Sequence, residues 1–103
     1  MIRTVFRLHE NRLTGFTVKG HSGTAARGSD IVCAAVSSAA YMTVNTLTEI
    51  VKAETEIEVK DGFLHCTVMN GDDSARVILE GFRLHMEQLC EEYPTAIKIT
   101  TEV

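Results

Sequence analysis

Four stretches of this chain alternate apolar and polar residues with period two, and that pattern limits the fold before anything else does. In residues 2–9, Ile2, Thr4, Phe6 and Leu8 share one face while Arg3, Arg7 and His9 share the other. The run "HENR" then turns the chain into a second strand with Phe16 and Val18 inward. Ile57 and Val59 alternate with Glu56, Glu58 and Lys60, and Leu64, Cys66 and Val68 repeat the inward face after Asp61 and Gly62. An Asp-Gly pair between two such runs marks a hairpin whose two turn positions both take positive φ. Ile97 and Ile99 mark a last short strand after Pro94. Such alternation means one sheet face is buried and the other wet, which favours antiparallel pairing.

Two stretches switch to helical spacing. The second starts at Asp72 or Asp73 as cap and lays Ala75, Ile78, Leu79, Phe82, Met86, Leu89 and Tyr93 on one stripe. It stops by Tyr93, because a residue before proline avoids helical geometry. The first, Ile31 to Val51, spreads Ala34, Ala35, Val36, Ala39, Ala40, Tyr41, Met42, Val44 and Leu47 round most of its circumference. A helix apolar on several faces is buried on several sides. One sheet and one further helix hardly cover it, so a homodimer interface is the expected extra cover. The uncharged run from Ile31 to Thr48 is interrupted by Ser37, Ser38, Thr43, Asn45, Thr46 and Thr48, and no membrane span is expected. The fold class is therefore α+β: a five-stranded, mostly antiparallel sheet with two helices in the order ββαββαβ.

At 103 residues the chain makes one domain, residues 1–103, with a single modest core. The net charge of −4 argues against nucleic acid as a partner, since phosphate binding wants a basic surface. Three cysteines without paired spacing, behind a start that reads as a strand and not as a targeting segment, point to thiols in a reducing cytoplasm.

The stretch "GHSGTAARGSDIVCAAVSSAA", residues 20–40, carries the chemistry. Gly20, Gly23 and Gly28 let the loop before the first helix take unusual dihedrals. Ser29 or Asp30 is expected to cap that helix, which puts Cys33 in its first turn. There the exposed N–H groups and the positive dipole end favour thiolate over thiol and offer donors to a developing oxyanion. His21 lies at the strand end of the same loop, near enough for its imidazole to meet the sulfur as general base and acid. Asp30 has two candidate roles, cap or orienter of His21. Cys66 and Cys90 read as packing residues. His9, His65 and His85 read as solvated side chains, and no pair has ligand spacing on a common face, so no metal site is expected. The loop lacks the closing Gly-Lys-Ser/Thr of a nucleotide phosphate cradle. Arg3, Arg7, Glu56 and Glu58 read as a solvated sheet face.

These residues resemble the signature of the bacterial ribosomal-processing cysteine proteases, the Prp family. The matching positions are Gly20, His21, Ser22, Ala25, Gly28, Asp30, Ile31, Val32, Cys33, Ala34 and Ser37 or Ser38. The resemblance implies a homodimeric α+β enzyme that removes a short N-terminal extension from a large-subunit ribosomal protein. It implies His21 and Cys33 as the catalytic dyad, Asp30 with Ser37 or Ser38 as supporting residues, and the loop bearing Gly20, Gly23 and Gly28 as the gate for substrate. Cleavage after aromatic residues in the family implies a hydrophobic groove. Ser22 stands where alanine is commoner, and Thr24 and Arg27 stand where an aromatic and another large residue are expected. No cofactor is implied. The rival reading is a non-catalytic ribosome-assembly or peptide-binding module that keeps the loop to grip a peptide and the cysteine as packing.

Overall fold

The computed structural model describes residues 1–21, 29–70 and 72–103, with Ser29 and Asp30 given by their backbone alone. The elements are β1 (Ile2–His9), β2 (Arg12–Lys19), α1 (Ser29–Asn45), β3 (Thr55–Lys60), β4 (Phe63–Val68), α2 (Asp73–Glu92) and β5 (Ile97–Glu102). They form one five-stranded sheet in the order β3-β4-β2-β1-β5. Every neighbouring pair is antiparallel except β1 with β5, which α2 carries across to the far edge as a parallel partner. The expected order and the mostly antiparallel sheet are thus both present.

The two hairpins differ from expectation in an instructive way. In the β1–β2 turn both Glu10 and Asn11 take positive φ, at 54° and 64°. At Asp61–Gly62 only the glycine does, at 67°. The double left-handed turn expected for Asp-Gly therefore belongs to Glu10–Asn11, where His9 and Arg12 pair directly.

Both faces of the sheet have structure. On the inner face Phe82 of α2 stacks against Phe16 at 4.5 Å and Phe6 at 5.7 Å between ring centroids. Tilted aromatic contacts of this kind add to the burial they bring. On the outer face Arg7 is half-buried, not solvated as its sequence position suggests. Its guanidinium donates to the carbonyls of Phe16 and Cys66 and to the hydroxyls of Thr17 and Thr67. Gly15 makes room for it: a Cβ there would strike the Cys66 carbonyl oxygen and come within 2.8 Å of the guanidinium. The register slips beside Arg7, leaving Thr14 as the extra residue of a bulge on β2.

Asp72 caps α2, its Oδ1 accepting from the Ala75 N–H at 2.7 Å, and the helix ends before Tyr93. Ala75, Leu79, Phe82 and Met86 are its buried stripe. α1 starts two residues before the expected Ile31, and its last turn widens into a π-helical turn, Thr46–Ile50. Just ahead of that change the Thr43 and Thr46 hydroxyls donate to the carbonyls four residues back, a habit that distorts helices. By length and composition residues 31–50 would suit a membrane span. Here Val32, Val36, Ala40, Val44 and Leu47 join the sheet core instead. The opposite side of α1 stays open, with Ile31 65% and Met42 67% exposed.

Two substitutions test this account in opposite directions. Gly15→Ala should expel Arg7 from its site and cost about 2 kcal/mol, lowering the thermal midpoint by roughly 8–16 °C. Thr4 is fully buried, and among the described residues its Oγ1 has no hydrogen-bond partner. Thr4→Val should therefore raise stability by about 1 kcal/mol, read in the same thermal or denaturant melts.

Candidate active site

Two glycines place His21. Beyond the end of β2, Gly20 takes φ 97°, and a Cβ on it would strike the Met1 carbonyl oxygen. Its N–H donates to the Gly62 carbonyl at 2.9 Å, tying the end of β2 to the β3–β4 hairpin. The His21 ring then lies over Gly62, where a Cβ would sit 2.9 Å from Nε2 and 3.3 Å from Cε1. Any side chain at position 62 would push that ring away.

Cys33 comes from a different element. It is half-buried on α1, one turn before Ser37 and two before Tyr41. Cys33, Ser37, Tyr41 and His21 line one cleft of about 540 Å³. The inner face of the sheet contributes Ile2, Val18 and Leu64 to it, and the hairpin contributes Lys60, Asp61 and Gly62. The cleft thus combines an apolar lining with a thiol, an imidazole, two hydroxyls, one ammonium and one carboxylate, groups that suit acyl-transfer chemistry.

Some expected details change. α1 begins at Ser29, so Cys33 opens its second turn instead of lying in the first. Ser29 and Asp30 are helical residues, which leaves neither at the cap position. Their side chains, together with Gly23, Gly28, Ser22, Thr24 and Arg27, lie outside the described residues. The two serine candidates separate: Ser37 lines the cleft with Cys33, whereas Ser38 lines a second groove between α1 and α2 with Met42, Ile78 and His85.

The other thiols occupy different surroundings. Cys66 is fully buried, and burial pushes its thiol up to about 11, opposed by the nearby Arg7 charge. Cys90 donates its S–H to the Ile97 carbonyl at 3.3 Å. Among the described residues, Cys33 is the thiol that lines a cleft with a histidine. His65 is not a loose surface residue; its ring nitrogens contact the hydroxyls of Thr17 at 2.9 Å and Thr67 at 3.2 Å. Arg7 donates to both of these hydroxyls, so the His65 ring is tied through Thr17 and Thr67 to the buried guanidinium.

Tyr41, Val59 and the hairpin wall were not singled out by sequence reasoning. The Asp61–Gly62 pair did mark a turn, but nothing local to it shows that the turn seats a histidine forty residues earlier. Tyr41 does fall two turns after Cys33, a spacing that could have found it.

The profile of the cysteine protease Prp family matches residues 1–98. The ribosomal processing cysteine protease Prp of Bacillus subtilis (strain 168) is 23% identical, across 97% of this chain and 96% of that protein. Its namesake from Staphylococcus aureus (strain Mu50) is 28% identical, across 87% and 88%. Among solved structures, the essential ribosomal processing protease Prp from S. aureus, in complex with a covalently linked product peptide, superposes with a TM-score of 0.91 at 24% identity. That superposition covers 99% of this chain and 100% of the other. SMU.848 from Streptococcus mutans superposes at 0.82 with 26% identity, covering 99% and 94%. The structural likeness is one of fold, while the family profile spans nearly the whole sequence. The chain belongs to the cysteine protease Prp family, and it is a cysteine protease.

Proposed function

We propose that this protease removes a short N-terminal extension from a large-subunit ribosomal protein, with Cys33 as nucleophile and His21 as general base and acid. The observation that carries the reading is the shared cleft: the Cys33 thiol from α1, the His21 imidazole set against the hairpin glycine, and apolar side chains line it together. The Cys33 sulfur attacks the scissile carbonyl carbon while His21 takes the thiol proton. His21 then gives that proton to the leaving amine as the C–N bond breaks, leaving a thioester. Water, losing a proton to His21, attacks the thioester and releases the new carboxyl end, restoring the thiol. The dipole of α1 acts mainly within its first turn, and Cys33 stands just beyond it. The histidine therefore carries more of the activation than the helix does, and the first-turn N–H groups serve the oxyanion. Ser37 is the supporting serine. The relatives named as ribosomal processing proteases, one of them solved with a product peptide, support the substrate class.

The enzyme is proposed to act as a cytoplasmic homodimer. The open side of α1 and the apolar α1–α2 groove beside Met42 and Ile78, about 640 Å³, supply the surface. Multi-angle light scattering at micromolar concentration should give twice the chain mass, and Met42→Glu should shift it toward a single chain. A wild-type protein that stays monomeric there contradicts the dimer.

Incubation with an N-terminally extended ribosomal protein, read by product mass, tests the chemistry. Cys33→Ala should abolish cleavage, and His21→Ala should slow it by at least about 10²-fold. Cys90→Ala should leave the rate within about twofold. Cleavage at the wild-type rate by Cys33→Ala ends the proposal.

Iodoacetamide should label Cys33 first in the native protein at pH 7–8. Cys66 should resist, because its thiol keeps its proton until the pH nears about 11, and should react only once the fold is opened. Peptide mapping reads the order, and equal slow labelling of all three thiols would count against a nucleophile at position 33.

A further inference from the structure

β3 is an edge strand whose inner side is left uncovered. It pairs with β4 alone, so among the described residues every second backbone N–H and C=O of Thr55–Lys60 points away from the sheet. Ile57 sits opposite Cys66, and Val59 opposite Leu64. Their partners are buried in the core, yet Ile57 is 38% and Val59 48% exposed. Two side chains on the core side of the sheet thus stay partly open to solvent, with no helix of the described residues packed over them. Open edges of this kind pair readily with another extended chain.

The edge also leads to the candidate active site. Val59 and Lys60 line the same cleft as Cys33 and His21, and the hairpin that follows them holds the His21 ring. Tyr41 faces that cleft from α1. Resting on the endopeptidase reading above, we infer that the free edge of β3 is the rail on which the substrate binds. An extended stretch beside the scissile bond adds as a sixth strand, its backbone bonded to β3. Its alternate side chains continue the rows of Leu64–Val59 and Cys66–Ile57, so apolar residues two apart are favoured on that side. The side chains between them fall beside Glu56, Glu58 and Lys60 on the outer face, where Lys60 already pairs with Glu58 at 2.9 Å, and this suits polar residues. Six residues of β3 offer about 20 Å of rail, at roughly 3.3 Å per residue.

The test uses the wild-type protein and a set of substrate peptides, each with one backbone N-methyl group, stepped over six residues on each side of the scissile bond. An added strand bonds through every second residue, so KM should rise about tenfold at alternate positions on one side and stay nearly flat between them. Val59→Lys and Ile57→Lys should likewise act on KM more than on kcat. A series with no alternation overturns the inference even if cleavage is normal. So does an Ile57→Lys protein that only loses its dimer, which would give the edge to a second copy of this chain. If no peptide is cleaved, the endopeptidase reading fails separately. The same series is then read as affinity for the Cys33→Ala protein, where alternation supports the rail and a flat series overturns it.

Discussion

One main-chain hydrogen bond, from the Gly20 N–H to the Gly62 carbonyl at 2.9 Å, carries the β2–β4 pairing past Lys19 and Phe63 to the hairpin tip that seats His21. It closes the end of β2 onto the tip of the β3–β4 hairpin, and both partners are glycines for steric reasons. At 20 a Cβ would meet the Met1 carbonyl, and at 62 it would meet the His21 imidazole. Both also take positive φ, which costs an L side chain further. The histidine is therefore placed by what is missing from its neighbours.

The rest of the architecture sets the thiol in the same cleft as that histidine. α1 is fixed on one side by Val32, Val36, Ala40, Val44 and Leu47, and α2 anchors the sheet beside it through the Phe6–Phe16–Phe82 cluster. With its inner stripe committed to the core, α1 presents Cys33, Ser37 and Tyr41 to the cleft at successive turns. On the far side of the sheet, Arg7 ties β1, β2 and β4 together through four hydrogen bonds. Bonds from a charged donor to satisfied acceptors are among the firmer ones, which stiffens the strands that carry Gly20 and the hairpin. Chemistry on one face thus leans on a polar network on the other.

The sequence was most readable where a single period decides the outcome. Strand faces followed from alternation, the α2 stripe from helical spacing, and its start from Asp72. The candidate positions, His21 and Cys33, were visible as residue types in a glycine-rich loop before a helix, and they do line one cleft. What stayed hidden depends on distance. That β5 would lie parallel to β1 is decided by the crossover of α2, not by Ile97 or Ile99 themselves. The burial of Arg7 depends on Gly15, eight positions away, and on the Cys66 carbonyl, far along the chain. Asp-Gly carries a strong local signal for a double left-handed turn, yet only Gly62 has positive φ, and its carbonyl serves Gly20. The helix cap was misplaced for a smaller reason: Ser29 and Asp30 suit a cap and a first turn alike.

Covalent catalysis by Cys33 requires that its sulfur become bonded to the substrate. Acid-quenching the enzyme with its extended substrate within the first turnovers, then weighing the intact protein and mapping its peptides, measures this directly. The mass of the protein should increase by that of the released N-terminal segment, held as a thioester on Cys33. Full product formation with no adduct, or an adduct on any other residue, would contradict it.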